Sequence, residues 1–126
     1  MFLLMRVISG IHKGRRILAP KNLPVRPTTG RSKEGLFNIL QHRLDFKTIQ
    51  VLDLFAGTGS ISYEFSSRGT KHVSAIDQNR SCVQFIKKVS IELEMKILAI
   101  QEECFRFLEQ NSISYDLIFA DPPYNL

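Results

Sequence analysis

Metal-binding and disulfide patterns are missing from this chain of 126 residues. Its two cysteines, Cys82 and Cys104, form no CxxC pair, and His12, His42 and His72 stand singly, which excludes a disulfide framework and a structural zinc site. No metal is expected. No apolar run approaches the ~18 residues that span a membrane, and Met1–Met5 is too short for a secretory signal. Internal repeats and low-complexity tracts are absent as well. These absences predict a soluble cytoplasmic protein with reduced thiols and no membrane contact. The composition is otherwise ordinary, 44% hydrophobic and 23% charged, and a chain of this length builds a core without staples.

Acidic residues are scarce in the first third. Residues 1–47 hold ten Lys or Arg against Glu34 and Asp45, a net +8, whereas residues 48–126 hold seven against ten, a net −3. Charge so concentrated points to a polyanion, nucleic acid ahead of a merely solvated face, gripped by one part while another performs chemistry.

The chain divides accordingly at residue 47. Met5–Ser9 and Arg16–Ala19 flank a segment bounded by Gly10 and Gly14 and read as a β-hairpin with basic residues at its turn. Pro20, Pro24 and Pro27 impose an extended linker, and Thr28 or Thr29 caps a helix over Arg31–Arg43 with Leu36, Ile39, Leu40 and Leu44 at helical spacing, widened by Phe37. From Thr48 onward, strands and helices alternate. Strands are expected at Val51–Phe55, His72–Ile76, Ile97–Ile100 and Leu117–Ala120, with helices at Ser60–Arg68, Asn79–Leu93 and Cys104–Gln110. The longest of these helices presents Cys82, Phe85, Ile86, Val89 and Leu93 on one face. That alternation predicts an α/β fold with a parallel sheet.

In such a sheet ligands bind beyond the carboxyl ends of the strands. Gly57 and Gly59 let backbone approach a ligand closely and open a helix. Asp77 ends the second core strand about 20 residues on, where a carboxylate accepts both ribose hydroxyls. A dinucleotide fits those two features, but the third glycine of its fingerprint is Ser62 here, and Asp53 just before the loop repels a pyrophosphate. Asp53 suits an amino-acid ammonium, so a phosphate-free cofactor, S-adenosylmethionine, is the better match. After the third strand Glu103, rather than Glu102, is the candidate acceptor for an adenine amino group. Most specific is Asp121-Pro122-Pro123-Tyr124. Two prolines fix two φ angles, so the Asp121 carboxylate and Pro122 carbonyl converge as acceptors beside the Tyr124 ring. An exocyclic base amine requires that arrangement, its lone pair turned toward an electrophile while the ring stacks on the base.

Asp-Leu-Phe-Ala-Gly-Thr-Gly-Ser (53–60), Ser-Arg-Gly (67–69) and Asp-Pro-Pro-Tyr (121–124) resemble the S-adenosylmethionine-dependent amino methyltransferases. Arg-Val-Ile-Ser-Gly (6–10), Lys-Gly-Arg-Arg (13–16), Arg-Pro-Thr-Thr (26–29) and Lys-Glu-Gly-Leu-Phe-Asn-Ile-Leu (33–40) narrow the resemblance to the RsmD type of 16S ribosomal RNA (guanine-N2)-methyltransferases. The resemblance covers nearly the whole chain. It implies a Rossmann-like methyltransferase core at 48–126 behind an RNA-facing arm at 1–47. It assigns the cofactor to Asp53, Phe55, Ala56, Gly57, Thr58, Gly59, Asp77, Gln78, Glu103 and Cys104, and the guanine amine to Asp121, Pro122, Pro123 and Tyr124. Arg6, Lys13, Arg15, Arg16, Arg26, Thr28 and Arg31 are the implied RNA contacts, with ribosomal RNA or the small subunit as partner. Ser62, Tyr63 and Phe65 depart from smaller family residues. Members of this fold also continue beyond the last motif, so a truncated or split form is expected, or a second chain or copy covering an exposed edge strand. Two other functions remain open: adenine-N6 methylation of DNA or RNA, and a non-catalytic RNA-binding or assembly module.

Overall fold

The computed structural model describes residues 2–24 and 28–123. A two-stranded antiparallel hairpin, β1 (Phe2–Arg6) with β2 (Arg16–Pro20), precedes α1 (Gly30–Leu40). The alternating part follows as β3 (Gln50–Leu54), α2 (Ser60–Ser67), β4 (His72–Asp77), α3 (Arg80–Glu92), β5 (Ile97–Gln101), α4 (Cys104–Gln110) and β6 (Leu117–Ala120). Its four strands are parallel in the order β5-β4-β3-β6. The α/β reading therefore holds, and β3 is a central strand buried from Val51 to Leu54. Among the described residues no helix is long and apolar enough to cross a membrane.

Local chemistry explains the helix starts. Asn79 accepts from the Cys82 amide and Thr29 from the Ser32 amide, satisfying donors that a first turn leaves unpaired. Of the two candidate threonines Thr29 is thus the cap. On α3 the expected Cys82, Ile86, Val89 and Leu93 are buried, Phe85 is partly buried against them, and Val83 joins the face.

Two expectations need correction. The first strand lies at Phe2–Arg6, not Met5–Ser9. The amides of Ile8 and Ser9 donate instead to the Glu64 carboxylate at 2.9 and 3.0 Å, so the chain leaves the hairpin ladder to dock on α2. The first helix also ends at Leu40, and Ile39 is solvent-facing at 59% exposure. Phe37 is the residue that sets its orientation. Its ring packs edge-on against Phe46 and Phe65, with centroids 5.9 and 4.7 Å away, and Leu36 and Leu40 pack beside that trio.

Two buried clusters line the face of the sheet that carries α1, α2 and α3. One joins Met5, Val7, Ile17 and Ala19 of the hairpin to Tyr63, Ala75, Cys82 and Ile86. The other holds the phenylalanine trio with Val51, Ile61 and Val73. On the opposite face Leu52, Leu54 and Ile76 pack against Cys104 and Phe107 of α4. The basic arm and the sheet thus share a core. A polar joint reinforces it: fully buried Glu64 also accepts from Arg68 Nε at 2.8 Å and pairs with buried Lys33 at 3.7 Å.

Candidate active site

At the carboxyl end of β3 the backbone turns left-handed three times, at Phe55 (φ 54°), Gly57 (58°) and Gly59 (88°). Gly59 is obligatory, because a Cβ there would stand 2.6 Å from the Tyr63 ring. Phe55 adopts that region without being glycine, a strained placement, and its ring rests edge-on against Phe105. The loop is fastened across β4. Ala56 N donates to Ile76 O at 3.0 Å, Gly57 N to Asp77 Oδ2 at 2.9 Å, and Asn79 N to Asp77 Oδ1 at 2.9 Å. Each Asp77 oxygen keeps a second acceptor position. Thr58 is buried and donates to the Met5 sulfur at 3.2 Å, so the hairpin touches the loop directly.

These strand ends surround a cavity of about 410 Å³, a volume suited to a small ligand. Asp53, Phe55, Ala56, Gly57, Thr58, Asp77, Gln78, Glu103, Cys104, Asp121, Pro122 and Pro123 all line it. The two predicted halves, one for a cofactor and one for an amine, therefore meet in one chamber. Its walls carry four carboxyl groups and, among the described lining residues, no Lys, Arg or His. That set of acceptors repels phosphate and suits a cationic, hydroxyl-bearing ligand.

The acids differ in environment. Asp53 is 1% exposed, and burial raises its carboxyl to about 7, reinforced by Asp77 and Asp121 and opposed by a 2.7 Å bond from the Ser62 hydroxyl. Glu103 also caps α4, its Oε2 accepting from Arg106 N at 2.7 Å. Cys104 is buried, and burial raises its thiol. Asp121, Pro122 and Pro123 are exposed at the mouth.

Of the predicted RNA contacts, Thr28 lines the cavity. Arg6, Lys13, Arg15, Arg16 and Arg31 are exposed and lie outside its walls. Tyr124 and Arg26 fall outside the described residues.

The family model described as conserved hypothetical protein 95 matches residues 5–126. The chain belongs to that family. The ribosomal RNA small subunit methyltransferase D of Buchnera aphidicola subsp. Baizongia pistaciae is 32% identical over 121 residues, covering 95% of this chain and 61% of that protein. The protein of the same name from Escherichia coli K12 is 31% identical over 121 residues, 95% of this chain and 60% of its own length. Our chain thus spans about three fifths of these curated relatives. A solved structure of a hypothetical protein from Thermus thermophilus superposes with a TM-score of 0.86 over 97% of this chain and 71% of that one, at 22% identity, a likeness of fold. The resemblance to the RsmD type and the Rossmann-like reading are both borne out.

Several site residues escaped the sequence. Pro24, Ser60, Ile61, Asn79 and Phe119 also line the cavity. Ser60 and Ile61 open α2 directly after the glycine loop, so helix position alone could have flagged them. Lys33 is one of the ten basic residues of the arm, whose charge the sequence turns toward a polyanion, yet it is 3% exposed and donates to Arg6 O at 2.8 Å and Ser60 Oγ at 3.1 Å. Burial lowers its pKa. No local pattern announces a contact spanning 27 residues.

Proposed function

We propose that this protein acts in the cytoplasm as an S-adenosylmethionine-dependent methyltransferase of 16S ribosomal RNA, with a guanine N2 amine as acceptor. One observation supports it above the rest: a single chamber, walled by acids and without a described cationic side chain, adjoins both the glycine loop and the Asp-Pro-Pro segment. The residues present fit the cofactor, since it carries an ammonium, a sulfonium and ribose hydroxyls but no phosphate. Asp53 would receive the ammonium, Asp77 the ribose, Glu103 the adenine amine, and residues 55–59 with Gln78 and Cys104 the remaining surface. The bound cofactor supplies an electrophilic methyl group.

The protein's own part is orientation. Asp121 and the Pro122 carbonyl accept the two amine hydrogens and turn the nitrogen lone pair toward the cofactor side of the chamber, Pro123 stiffens that pose, and Tyr124 stacks on the base. Asp121 then accepts the proton released by the methylated amine. The exposed Arg6, Lys13, Arg15, Arg16 and Arg31, with Arg26 and Thr28, hold the RNA backbone. The names of the curated relatives favour ribosomal RNA of the small subunit as substrate. Among the described residues β6 pairs only with β3, which supports the expectation of further pairing, by a partner chain or a second copy, along its other side.

Mass spectrometry of 16S RNA from a strain lacking the gene should show one N2-methylguanine missing. Loss of an N6-methyladenine instead would move the acceptor to adenine. An unchanged nucleoside profile overturns the assignment.

A further inference from the structure

Ser62 occupies the third position of α2 and is wholly buried. It does not line the cavity. Serines inside helices commonly donate back to the carbonyl four residues earlier, as Ser90 does to Ile86 O at 2.6 Å. Ser62 donates across to β3 instead, meeting Asp53 Oδ2 at 2.7 Å. Asp53 is the residue of that pair that faces the chamber. We propose that Ser62 is a positioning residue for the cofactor's amino-acid end, its hydroxyl orienting the Asp53 carboxylate that receives the ammonium group. This rests on the cofactor reading given above.

The surroundings make the hydroxyl matter. The charges bearing on Asp53 are those of Asp77 and Asp121, both negative. Tyr63 from α2 and Cys104 from α4 also feel its charge, and burial raises both of them. Against burial and two acids, the groups favouring the ionised form are the Ser62 hydroxyl and the Ser62 backbone amide. With its carboxyl raised to about 7, Asp53 is divided between two protonation states at neutral pH, and the acid form cannot pair with an ammonium. Removing the hydroxyl shifts the balance further toward that acid form.

The test is calorimetric titration between pH 6 and 8.5 with two probes, S-adenosylhomocysteine and methylthioadenosine, the second lacking the amino-acid end. In the native protein, affinity for S-adenosylhomocysteine should rise through a midpoint near pH 7, while that for methylthioadenosine stays level. Ser62→Ala should weaken S-adenosylhomocysteine about tenfold or more at pH 7, move the midpoint upward, and leave methylthioadenosine within about twofold. A purely structural role would weaken both probes together, and that result overturns the proposal. So does a variant that keeps its S-adenosylhomocysteine affinity, or a native protein whose affinities for the two probes share one pH profile. A native protein that binds neither probe overturns the cofactor reading itself.

Discussion

Replacing Glu64 by glutamine keeps the side chain's shape and removes its charge, at a site where four donors converge. Oε1 accepts from Ile8 N at 2.9 Å and Oε2 from Ser9 N at 3.0 Å and Arg68 Nε at 2.8 Å, while Lys33 Nζ stands 3.7 Å away. Glutamine offers one carbonyl oxygen. In either amide orientation at least one of those buried donors then faces an N–H group, which costs about 1–3 kcal/mol. Lys33, 3% exposed, also loses its counter-charge, and breaking a buried pair from one side costs about 3–5 kcal/mol in all. Urea unfolding followed by circular dichroism should register a loss in that range, and melting should fall by more than about 10 °C. Adding Lys33→Met should recover part of the loss, because the stranded cation goes with it. A Glu64→Gln protein within about 1 kcal/mol of native stability would refute the reading of Glu64 as the joint between arm and sheet.

Three further outcomes follow from the same contacts. Gly10→Ala would set a Cβ 1.9 Å from the Ser67 carbonyl oxygen at a φ of 90°, so the hairpin loop must lift from α2. We expect a loss of about 2 kcal/mol or more and faster proteolysis across residues 7–15, and unchanged proteolysis would exclude that docking. Tyr63→Phe removes a buried hydroxyl that has no hydrogen-bond partner among the described residues, so stability should hold or rise by about 1 kcal/mol in thermal melts, and a clear loss would reveal a partner. Asp53→Asn tests the raised carboxyl. With a native pKa of about 7 against 3.8, the group's contribution is full below pH ~4 and disappears as pH rises through 7, up to about 4 kcal/mol. The native protein should therefore lose stability relative to the variant as pH rises from about 4 to about 7, and parallel urea profiles would refute the shift.

Features set by neighbours in the chain were legible in advance. Asn79 as a cap, the left-handed glycines after β3, and Asp77 at the end of β4 each follow from residue type and position. So did the meeting of strand ends, since a parallel sheet brings its carboxyl ends to one edge. Contacts decided by tertiary packing were not. Ile39 matches the helical stripe as well as Leu40 does, but the ring of Phe37 claims the core and rotates Ile39 into solvent. Glu64 and Lys33 look like surface charges in a one-dimensional reading. They are buried because each satisfies the other and the backbone of the distant hairpin, Lys33 at Arg6 and Glu64 at Ile8. Ser62 reads as a missing glycine, and its hydroxyl acquires meaning only when α2 lies over Asp53.

Asp77 holds the loop amide of Gly57 with one oxygen and the cap residue Asn79 with the other. An alanine scan would therefore score it as a dominant ligand contact even if no ligand atom touched it, because truncation releases the β3–α2 loop and the β4–α3 turn at once. Asp77→Asn keeps one acceptor for those amides and changes what the chamber offers a ribose. For this carboxylate the amide variant, paired with a melting curve, separates the scaffold from the grip.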